Sequence, residues 1–320
     1  MALMRKAQRK KAKLRLGISG PAGGGKTLGA LLFAYGITGD WNDICIIDSE
    51  NYSGDLYANS TKAGVEIKEY NIISLAAPYT PEKYVSAIKE CESAGIKVVI
   101  IDSLTHAWAG VGGLLDKKGQ IEKSNKPGVN SWTAWRDITP MHNNLVDTIL
   151  SSKCHIVATL RAKMEHVQEK DPSSGRVVVR KIGMNPVQRD GMEYEFTTFV
   201  DVDQDHQCTS SKDRTSIVDG RVFQLLPELG KQFLEWLESG IDEIPQSVNW
   251  PAFWAGVKSK LGYSEDDVHG IASAMRKKRI TSLSDWSREE VSELMEKLKQ
   301  VYAEDQAKLK EMEGQAPSGE

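Results

Sequence analysis

The residues with the clearest chemistry lie in the segment GPAGGGKT at 20–27. Gly20, Gly25, Lys26 and Thr27 fit the spacing G-x-x-x-x-G-K-[ST] of a phosphate-binding loop between a strand and a helix. In such loops backbone N–H groups face the phosphates, the lysine reaches the β- and γ-phosphates, and the threonine supplies an oxygen to Mg²⁺. We therefore predict that the chain binds ATP and Mg²⁺. The expected nucleotide contacts are Gly20, Pro21, Ala22, Gly23, Gly24, Gly25, Lys26, Thr27 and Leu28.

Two apolar runs end in acidic residues that could complete this site. KVVIIDS at 97–103 contains Asp102, and a carboxylate that ends a central strand is suited to hold Mg²⁺ together with Thr27. ICIIDSE at 44–50 ends in Glu50. Hydrolysis needs a carboxylate that orients or deprotonates the attacking water, so we predict this catalytic role for Glu50. The alternatives are a helix cap for Asp102 and a solvated acid for Glu50.

Basic residues are concentrated in two polar segments, 110–130 and 161–190, and each follows an apolar strand candidate. Lysine and arginine in such loops can contact the phosphates of nucleic acid without reading its sequence. The alternative is an ordinary solvated loop. The candidate DNA-binding residues are Lys117, Lys118, Lys163, Arg176, Arg180, Lys181 and Arg189.

The pattern of apolar residues predicts the elements that position these groups. Short β-branched runs alternate with helical patterns in the first half of the chain, which is typical of an α/β fold with a mostly parallel sheet between helices. From residue 195 the pattern alternates, as in an antiparallel extension of the sheet. The predicted strands are 14–19, 44–48, 66–73, 98–102 and 154–160, and the predicted helices are 27–37, 81–94, 131–152 and 228–238.

The composition divides the chain into four parts. We predict a basic amino-terminal arm at 1–12, an α/β core at 13–240, a small domain of three or four helices at 248–304, and a disordered tail at 305–320. The boundary follows from the segment 240–247, which offers little apolar surface to bury.

The sequence also excludes several classes of protein. It has no run of about 18 apolar residues to span a membrane, and no apolar segment follows the basic start as a secretion signal requires. We therefore expect a cytoplasmic protein with no membrane partner. The four widely spaced cysteines indicate buried free thiols, and the histidines show no metal-ligand spacing. Trp132 and Trp135 are interpreted as packing residues rather than base-stacking ones.

The acidic segments resemble those of a known family. CIIDSENYSGDLYA looks like the segment in which RecA-family recombinases place their catalytic glutamate, at the position of Glu50, and VVIIDSLTHAW resembles their Mg²⁺ strand. Residues 13–240 resemble the phage-type RecA-like ATPases, AAA-domain nucleotide-binding proteins that include Sak-type annealing ATPases. The resemblance implies a RecA-like P-loop NTPase core and DNA-stimulated ATP hydrolysis. It also implies recombination on single-stranded DNA, by annealing or strand exchange, in a bacterial host cell.

The segment Lys212-Asp213-Arg214 resembles the Lys-Asn-Arg element of RadA-type and hexameric helicase ATPases. In those proteins the basic pair points into the ATP site of the neighbouring subunit. The resemblance therefore implies catalytic roles for Lys212 and Arg214, and a homo-oligomer in the form of a filament or a ring. The aspartate at 213 leaves the role of the middle position open, and a solvated turn is the alternative for the whole segment.

The strand candidate HIVATL ends where RecA-like folds place a sensor of the γ-phosphate. That family usually has glutamine at the position aligned with Thr159, so either Thr159 or Arg161 could be the sensor here. In the same family the loops after these strands line the filament axis and grip DNA. This favours the DNA-binding candidates given above.

Three functions are consistent with the motifs. The first is a recombination ATPase, with a phage or host single-strand-binding protein as a further partner. The second is a helicase loader or motor with the same fold. The third is a small-molecule P-loop kinase, in which a basic lid closes over the phosphates, although Glu50 and the segment 212–214 have no natural place in a kinase.

Overall fold

The computed structural model describes residues 7–124, 130–170, 177–241, 248–284, 286 and 288–314. Within these ranges the side chains of 164–170, 177–183, 288–289 and 309–314 are not described. The chain divides into two compact units, 1–241 and 242–320.

The first unit is built on one large sheet. The strands of this unit are β1 (Arg15–Gly20), β2 (Ile44–Asp48), β3 (Ser60–Lys62), β4 (Val65–Ile67), β5 (Asn71–Ser74), β6 (Val98–Asp102), β7 (His155–Lys170), β8 (Val177–Pro186), β9 (Thr198–Val202), β10 (Cys208–Asp213) and β11 (Val222–Phe223). All belong to the large sheet except β3 and β4, which form a separate short hairpin. The strand order is β11-β10-β9-β1-β7-β6-β2-β5, and β8 pairs with β7. The strands from β9 to β5 in this order are parallel, whereas β10, β11 and β8 pair antiparallel.

Helices cover both faces of this sheet. In the first unit they are α1 (Lys26–Thr38), α2 (Pro81–Ser93), α3 (Leu104–Ala109), α4 (Leu114–Glu122), α5 (Ser131–Ser151) and α6 (Pro227–Glu238). One apolar cluster joins the sheet to α1 and α6, and another joins the opposite face to α2 and α5. Every residue of β1, β2 and β6 is buried, as expected for parallel strands covered on both faces. The architecture confirms the predicted α/β P-loop NTPase core.

Helices α1 and α6 pack with their backbones in close contact. A Cβ atom on Gly36 would lie 2.0 Å from the carbonyl oxygen of Pro227, and one on Gly230 would lie 2.2 Å from that of Phe33. Only glycine fits at these two positions, because any side chain would force the helices apart. This contact fixes α1 against α6, and it therefore also fixes the segment 20–25 that leads into α1.

Three predicted elements differ from the structure. The predicted strand 66–73 is two strands, β4 and β5, because the polar residues Lys68 and Glu69 separate the apolar positions. The segment 110–130, predicted as a loop, contains α4. The predicted loop 161–190 is instead largely the antiparallel ribbon of β7 and β8, whose alternating apolar and polar residues suit two paired strands.

The basic arm is not separate from the core over its described part. Lys11 N–H donates to the carbonyl of Ile241 at 2.8 Å, and Ile241 N–H donates to the carbonyl of Arg9 at 2.9 Å. The Arg9 guanidinium lies 4.1 Å from the ring centroid of Trp236 in α6. Residues 9–12 therefore pack along the end of α6 instead of extending from it.

The second unit contains three helices in its described part: α7 (Trp250–Leu261), α8 (Glu265–Arg276) and α9 (Arg288–Gly314). The side chains of Asn249 and Ser264 cap the first two, as their sequence positions predict. Val257, Val268 and Leu298 belong to its apolar core. The prediction of a disordered tail from 305 is wrong as far as Gly314, because glutamate, lysine, alanine and leucine in this stretch all favour helix.

Across the part of the chain that the structure describes, no helix has both the length and the apolar character needed to cross a membrane.

Candidate nucleotide-binding and hydrolysis site

The phosphate-binding loop connects the end of β1 to the start of α1. Gly23 and Gly25 have φ angles of 78° and 82°, which glycine adopts without strain. The Lys26 ammonium donates to the carbonyl oxygens of Gly20 at 3.0 Å and Pro21 at 2.6 Å. Burial lowers the pKa of Lys26. The loop thus presents the first N–H groups of α1 and one partly buried cation at the same point, which suits a polyphosphate.

Asp102 lies at the centre of a cluster of hydroxyl groups below this loop. Its carboxylate accepts hydrogen bonds from Thr27 Oγ1 and from Thr159 Oγ1, both at 2.6 Å. Burial raises the pKa of Asp102, although both hydroxyl groups oppose this change. Asp102 lies at the end of β6, Thr159 lies in β7, and Thr27 lies in the first turn of α1. Thr159 therefore contacts the carboxylate predicted to bind metal.

The oxygens of Thr27 and Asp102 form a hard ligand set that fits Mg²⁺. Such a site usually uses few protein ligands and completes its coordination with water and substrate phosphates. Among the described residues no group of three or more histidine, cysteine, aspartate or glutamate side chains could hold a metal ion. Thr27 and Asp102 would hold Mg²⁺, which would neutralise charge on bound phosphates.

Glu50 lies beside this cluster and accepts hydrogen bonds from two side chains. Both of its oxygens accept hydrogen bonds from the Arg161 guanidinium, with the Arg161 Nε to Oε1 distance at 2.8 Å. Ser103 Oγ also donates to Glu50 Oε1 at 2.8 Å. Burial alone would raise the pKa of Glu50, but the hydrogen bonds and charge of Arg161 and the bond from Ser103 hold it below its ordinary value. The carboxylate is therefore ionised and fixed in direction.

The turn after β2 sets the position of Glu50. The Asp48 carboxylate accepts the backbone N–H of Glu50 at 2.6 Å and that of Gly54 at 3.2 Å. Ser49 N–H donates to the carbonyl of Asp102 at 2.7 Å, which ties the end of β2 to the end of β6. These bonds bring the two acidic segments together, as parallel neighbouring strands allow.

His106 is part of this site, although the sequence analysis assigned it no role. Its Nε2 lies 3.8 Å from Glu50 Oε1, and its Nδ1 lies 2.9 Å from Ser49 Oγ. Its ring stacks on Tyr79 with centroids 4.8 Å apart. Burial lowers the pKa of His106. The sequence signal that could have identified His106 as a site residue is its position four residues after Asp102, near the start of a helix.

Lys212 and Arg214 lie at the other end of the sheet. The register pairs Asp213 with Thr198, at the start of β9, whereas the phosphate loop follows the end of the parallel strand β1. Thr198 lies opposite Leu16, four residues before the end of β1 at Gly20, so the two positions are separated by roughly 13 Å along the strands. The Arg214 side chain is exposed. Within one chain the sheet therefore separates Arg214 from the phosphate loop.

Asp213 organises the turn that carries these basic residues. Its Oδ1 accepts from the backbone N–H and the hydroxyl of Thr215 at 2.8 and 2.7 Å, and its Oδ2 accepts from Val218 N–H at 2.9 Å. These hydrogen bonds hold the pKa of Asp213 below its ordinary value, against the effect of burial. The middle position of the segment thus shapes the turn.

The predicted DNA-binding lysines of α4 are engaged with acids. Lys117 Nζ lies 3.0 Å from Glu82 Oε2, and Lys118 Nζ lies 2.7 Å from Glu122 Oε1. Their charge is therefore partly compensated. Lys163 is exposed on β7, and the Arg189 guanidinium lies 5.8 Å from the ring of Trp135. Arg176 and the side chains of Arg180 and Lys181 lie outside what the structure describes.

Trp132 is 86% exposed on the first turn of α5, so its interpretation as a packing residue is wrong. Trp135 does pack, with its ring 5.9 Å from that of Trp108. The two tryptophans are three positions apart, and only the second faces the apolar cluster around Trp108. An exposed indole offers a ring face on which a base could stack.

A phosphate loop after the first strand of a parallel sheet, with carboxylates at the ends of β2 and β6, defines a P-loop nucleoside triphosphatase. Comparison with protein families agrees, since a family model described as an AAA domain matches residues 12–225. The match covers more than half of the chain, so the chain belongs to this family. A comparison with curated proteins found no match. Membership indicates nucleotide binding and nucleoside triphosphatase activity, usually with Mg²⁺.

Proposed function

We propose that this AAA-domain protein is an ATPase that acts on single-stranded DNA in recombination, by annealing or strand exchange. The resemblance to phage-type RecA-like, Sak-type ATPases supports the recombination role. The observation that carries ATP hydrolysis is the meeting of Glu50 with the cluster of Thr27 and Asp102 at one edge of the sheet. The family match favours hydrolysis over phosphate transfer to a metabolite.

In this proposal Glu50 orients or deprotonates the attacking water. The pKa of Glu50 lies below its ordinary value, so the carboxylate is ionised and can accept a hydrogen bond, and then a proton, from the water. Arg161 binds both carboxylate oxygens, so it fixes the direction of Glu50 and adds a cation beside it. We assign the sensing of the γ-phosphate to Arg161 rather than to Thr159, because Thr159 is fully buried and bonded to Asp102.

We further propose that the protein works as a homo-oligomer with ATP sites between subunits. Arg214 is exposed and lies at the opposite end of the sheet from its own phosphate loop. A guanidinium delivered by a neighbour can stabilise charge on the γ-phosphate. A filament and a ring both satisfy this arrangement.

DNA is proposed to bind near the start of α5 and the ribbon of β7 and β8. The support is the exposed Trp132 together with the exposed Lys163 and the neighbouring Arg189. Aromatic stacking contributes about 1–3 kcal/mol per base, and basic side chains add binding that depends on salt. A phage or host single-strand-binding protein is the expected further partner.

The test measures ATP turnover with and without single-stranded DNA, followed by annealing of complementary strands. We expect DNA to accelerate turnover without any small acceptor, and ATP to promote annealing. Trp132→Ala should weaken DNA binding by about tenfold or more, whereas Trp132→Phe, which keeps a stacking ring, should retain most of it. Turnover unaffected by DNA would contradict the DNA role, and translocation without annealing would favour the loader or motor.

A further inference from the structure

His106 lies between Glu50 and a group of hydrogen bonds that the ATPase function described above does not use. Its Nε2 lies 3.8 Å from Glu50 Oε1, and its Nδ1 lies 2.9 Å from Ser49 Oγ. The side chains of His106 and Glu50 are only 14% and 20% exposed, so both are largely shielded from water. Stacking on Tyr79, with centroids 4.8 Å apart, holds the ring in place. An imidazole fixed this close to the water-activating carboxylate can exchange a proton with it.

The contacts of Ser49 determine which nitrogen of His106 carries the hydrogen. Ser49 Oγ accepts the backbone N–H of Ser103 at 2.9 Å, and the carbonyl oxygens of Asp102 and Ser103 both lie 3.2 Å from it. The single hydrogen of Ser49 Oγ is therefore assigned to these carbonyls, and His106 Nδ1–H donates to the remaining lone pair of Oγ. In this tautomer Nε2 carries no hydrogen and presents a lone pair to Glu50. Nε2 is thus a proton acceptor.

Glu50 by itself holds a proton poorly. Arg161 donates to both of its carboxylate oxygens, and Ser103 Oγ donates to Oε1 at 2.8 Å. These bonds stabilise the ionised form and hold the pKa of Glu50 below its ordinary value, against the effect of burial. An unperturbed imidazole binds a proton about 100-fold more tightly than an unperturbed carboxylate. This difference favours transfer of a proton from Glu50 to His106.

The charged and titratable groups around His106 come from several elements. They are Glu50 after β2, Asp102 at the end of β6, Arg161 in β7, Tyr79 before α2 and Tyr84 within it. Burial has the largest effect on the pKa of His106 and lowers it. Arg161 acts in the same direction, whereas Glu50 and Asp102 oppose the change. The ring is therefore neutral at neutral pH and able to accept a proton.

We propose that His106 takes up the proton that Glu50 removes from the attacking water. The inference rests on the proposed function as an ATPase. In this step the water oxygen forms a bond to the γ-phosphorus, while the bond from that phosphorus to the oxygen of the departing ADP breaks. One water proton passes to Glu50 and then to His106 Nε2, and it is released to solvent after the products leave. The distance of 3.8 Å shortens in the reacting complex, as catalytic hydrogen bonds tighten when substrate is bound. His106 acts only through Glu50, which makes it a positioning residue for this proton.

The first test compares His106→Gln with the wild-type protein in Mg²⁺-ATP binding and in ATP turnover across pH. Glutamine keeps a polar side chain but accepts no proton near neutral pH. We expect unchanged ATP affinity and a kcat lowered by about 10²-fold, the lower end of the range for a proton-transfer group. Wild-type turnover should fall as the pH decreases through the pKa of His106, because a protonated imidazole cannot accept the proton. In His106→Gln this acid limb should move to lower pH, where the ionisation of Glu50 alone sets it.

The second test supplies the missing acceptor from solution. Imidazole should raise the turnover of His106→Ala by about 10-fold, and only at pH values where imidazole is neutral. His269→Ala is the matched control, because the ring of His269 packs on Trp254 in the second unit, with centroids 6.0 Å apart. This control should keep wild-type turnover and show no response to imidazole.

The third test combines Glu50→Gln with His106→Gln. The double variant should turn over ATP no more slowly than Glu50→Gln alone, because the two residues act in one step. Losses that multiply would show that His106 acts apart from Glu50 and would overturn the proposal. An unchanged acid limb in His106→Gln, or a lack of response to imidazole in His106→Ala, would overturn it as well. Wild-type protein that binds ATP without hydrolysing it would instead overturn the proposed ATPase function.

Discussion

The two ends of the central sheet present their charged residues differently. At the carboxyl ends of β2 and β6, beside residues 159–161 of β7, the carboxylates of Asp102 and Glu50 each accept hydrogen bonds from side chains of the same chain. At the opposite end, Asp213 shapes a turn that leaves Arg214 exposed. The first end is assembled within one subunit, whereas the second directs a cation outward. Under the proposed function, the chain would complete its own water-activating group and would offer Arg214 to a neighbouring subunit.

The strongest test of this comparison replaces Arg214. Arg214→Ala should lower ATP turnover by about 10³-fold or more, as in ATPases that use an arginine supplied by a neighbour. Mixing Arg214→Ala subunits with Glu50→Gln subunits should restore activity, because some interfaces then join an intact Glu50 to an intact Arg214. If mixed assemblies form without recovered turnover, Arg214 does not act on the neighbour, and the contrast between the two ends loses its functional meaning.

The second test separates nucleotide binding from hydrolysis at the carboxyl end. Glu50→Gln should retain ATP binding and lose hydrolysis by about 10²- to 10⁴-fold, the range for loss of a general base. Lys26→Ala should instead weaken ATP binding, because the ammonium lies in the phosphate loop. Calorimetry and steady-state turnover distinguish the two effects. Near-normal turnover in Glu50→Gln would assign the base to a different residue.

The third test asks whether Arg161 acts through Glu50. Arg161→Gln should lower turnover by about 10- to 100-fold, the scale for loss of a partner that positions a reactive group. Because Arg161 holds the pKa of Glu50 below its ordinary value, the acid limb of the kcat/KM profile should move to higher pH in the variant.

Lys163→Gln provides the control for Arg161, since Lys163 is an exposed cation two residues further along the same strand. Its pH profile should match that of the wild-type protein. A profile that shifts equally in both variants would indicate a general change in surface charge and would remove Arg161 from the positioning role.

The smallest effect is expected at the amino end of the sheet, from the buried His155. Burial, with the nearby charges of Lys13 and Arg15, lowers its pKa to about 3. The unfolded chain binds a proton near pH 6.5 that the folded chain does not, so stability falls as the pH decreases from 6.5 toward 3. At pH 5 the loss should be about 2 kcal/mol relative to pH 7.5.

Urea unfolding at pH 7.5 and pH 5 measures this loss. His155→Gln should lack this part of the pH dependence, whereas His206→Gln, which changes an exposed ring, should retain it. The same pH dependence in His155→Gln as in the wild-type protein would show that other groups cause it.

Much of the fold followed from local patterns. The bounds of β2 and β6 agree with the predicted strands, because uninterrupted β-branched runs are typical of strands buried on both faces. The polar residues of the segment 161–190 predict a loop, and their local pattern does not reveal the pairing of β7 with β8. Gly113 before α4 and Gly119 within it likewise predict a loop where the structure has a short helix.

The sequence by itself determined the phosphate loop, the strand that ends at Asp102 and the α/β class, because each depends on neighbouring residues and on the period of apolar positions. The tertiary structure decided which side chains meet. Arg161 and Glu50 are 111 residues apart, and Thr159 contacts Asp102 only because β7 lies beside β6. The exposure of Trp132 and the role of Asp213 likewise depend on strand order and helix orientation. Local sequence patterns do not specify these features, because the partners come from distant parts of the chain.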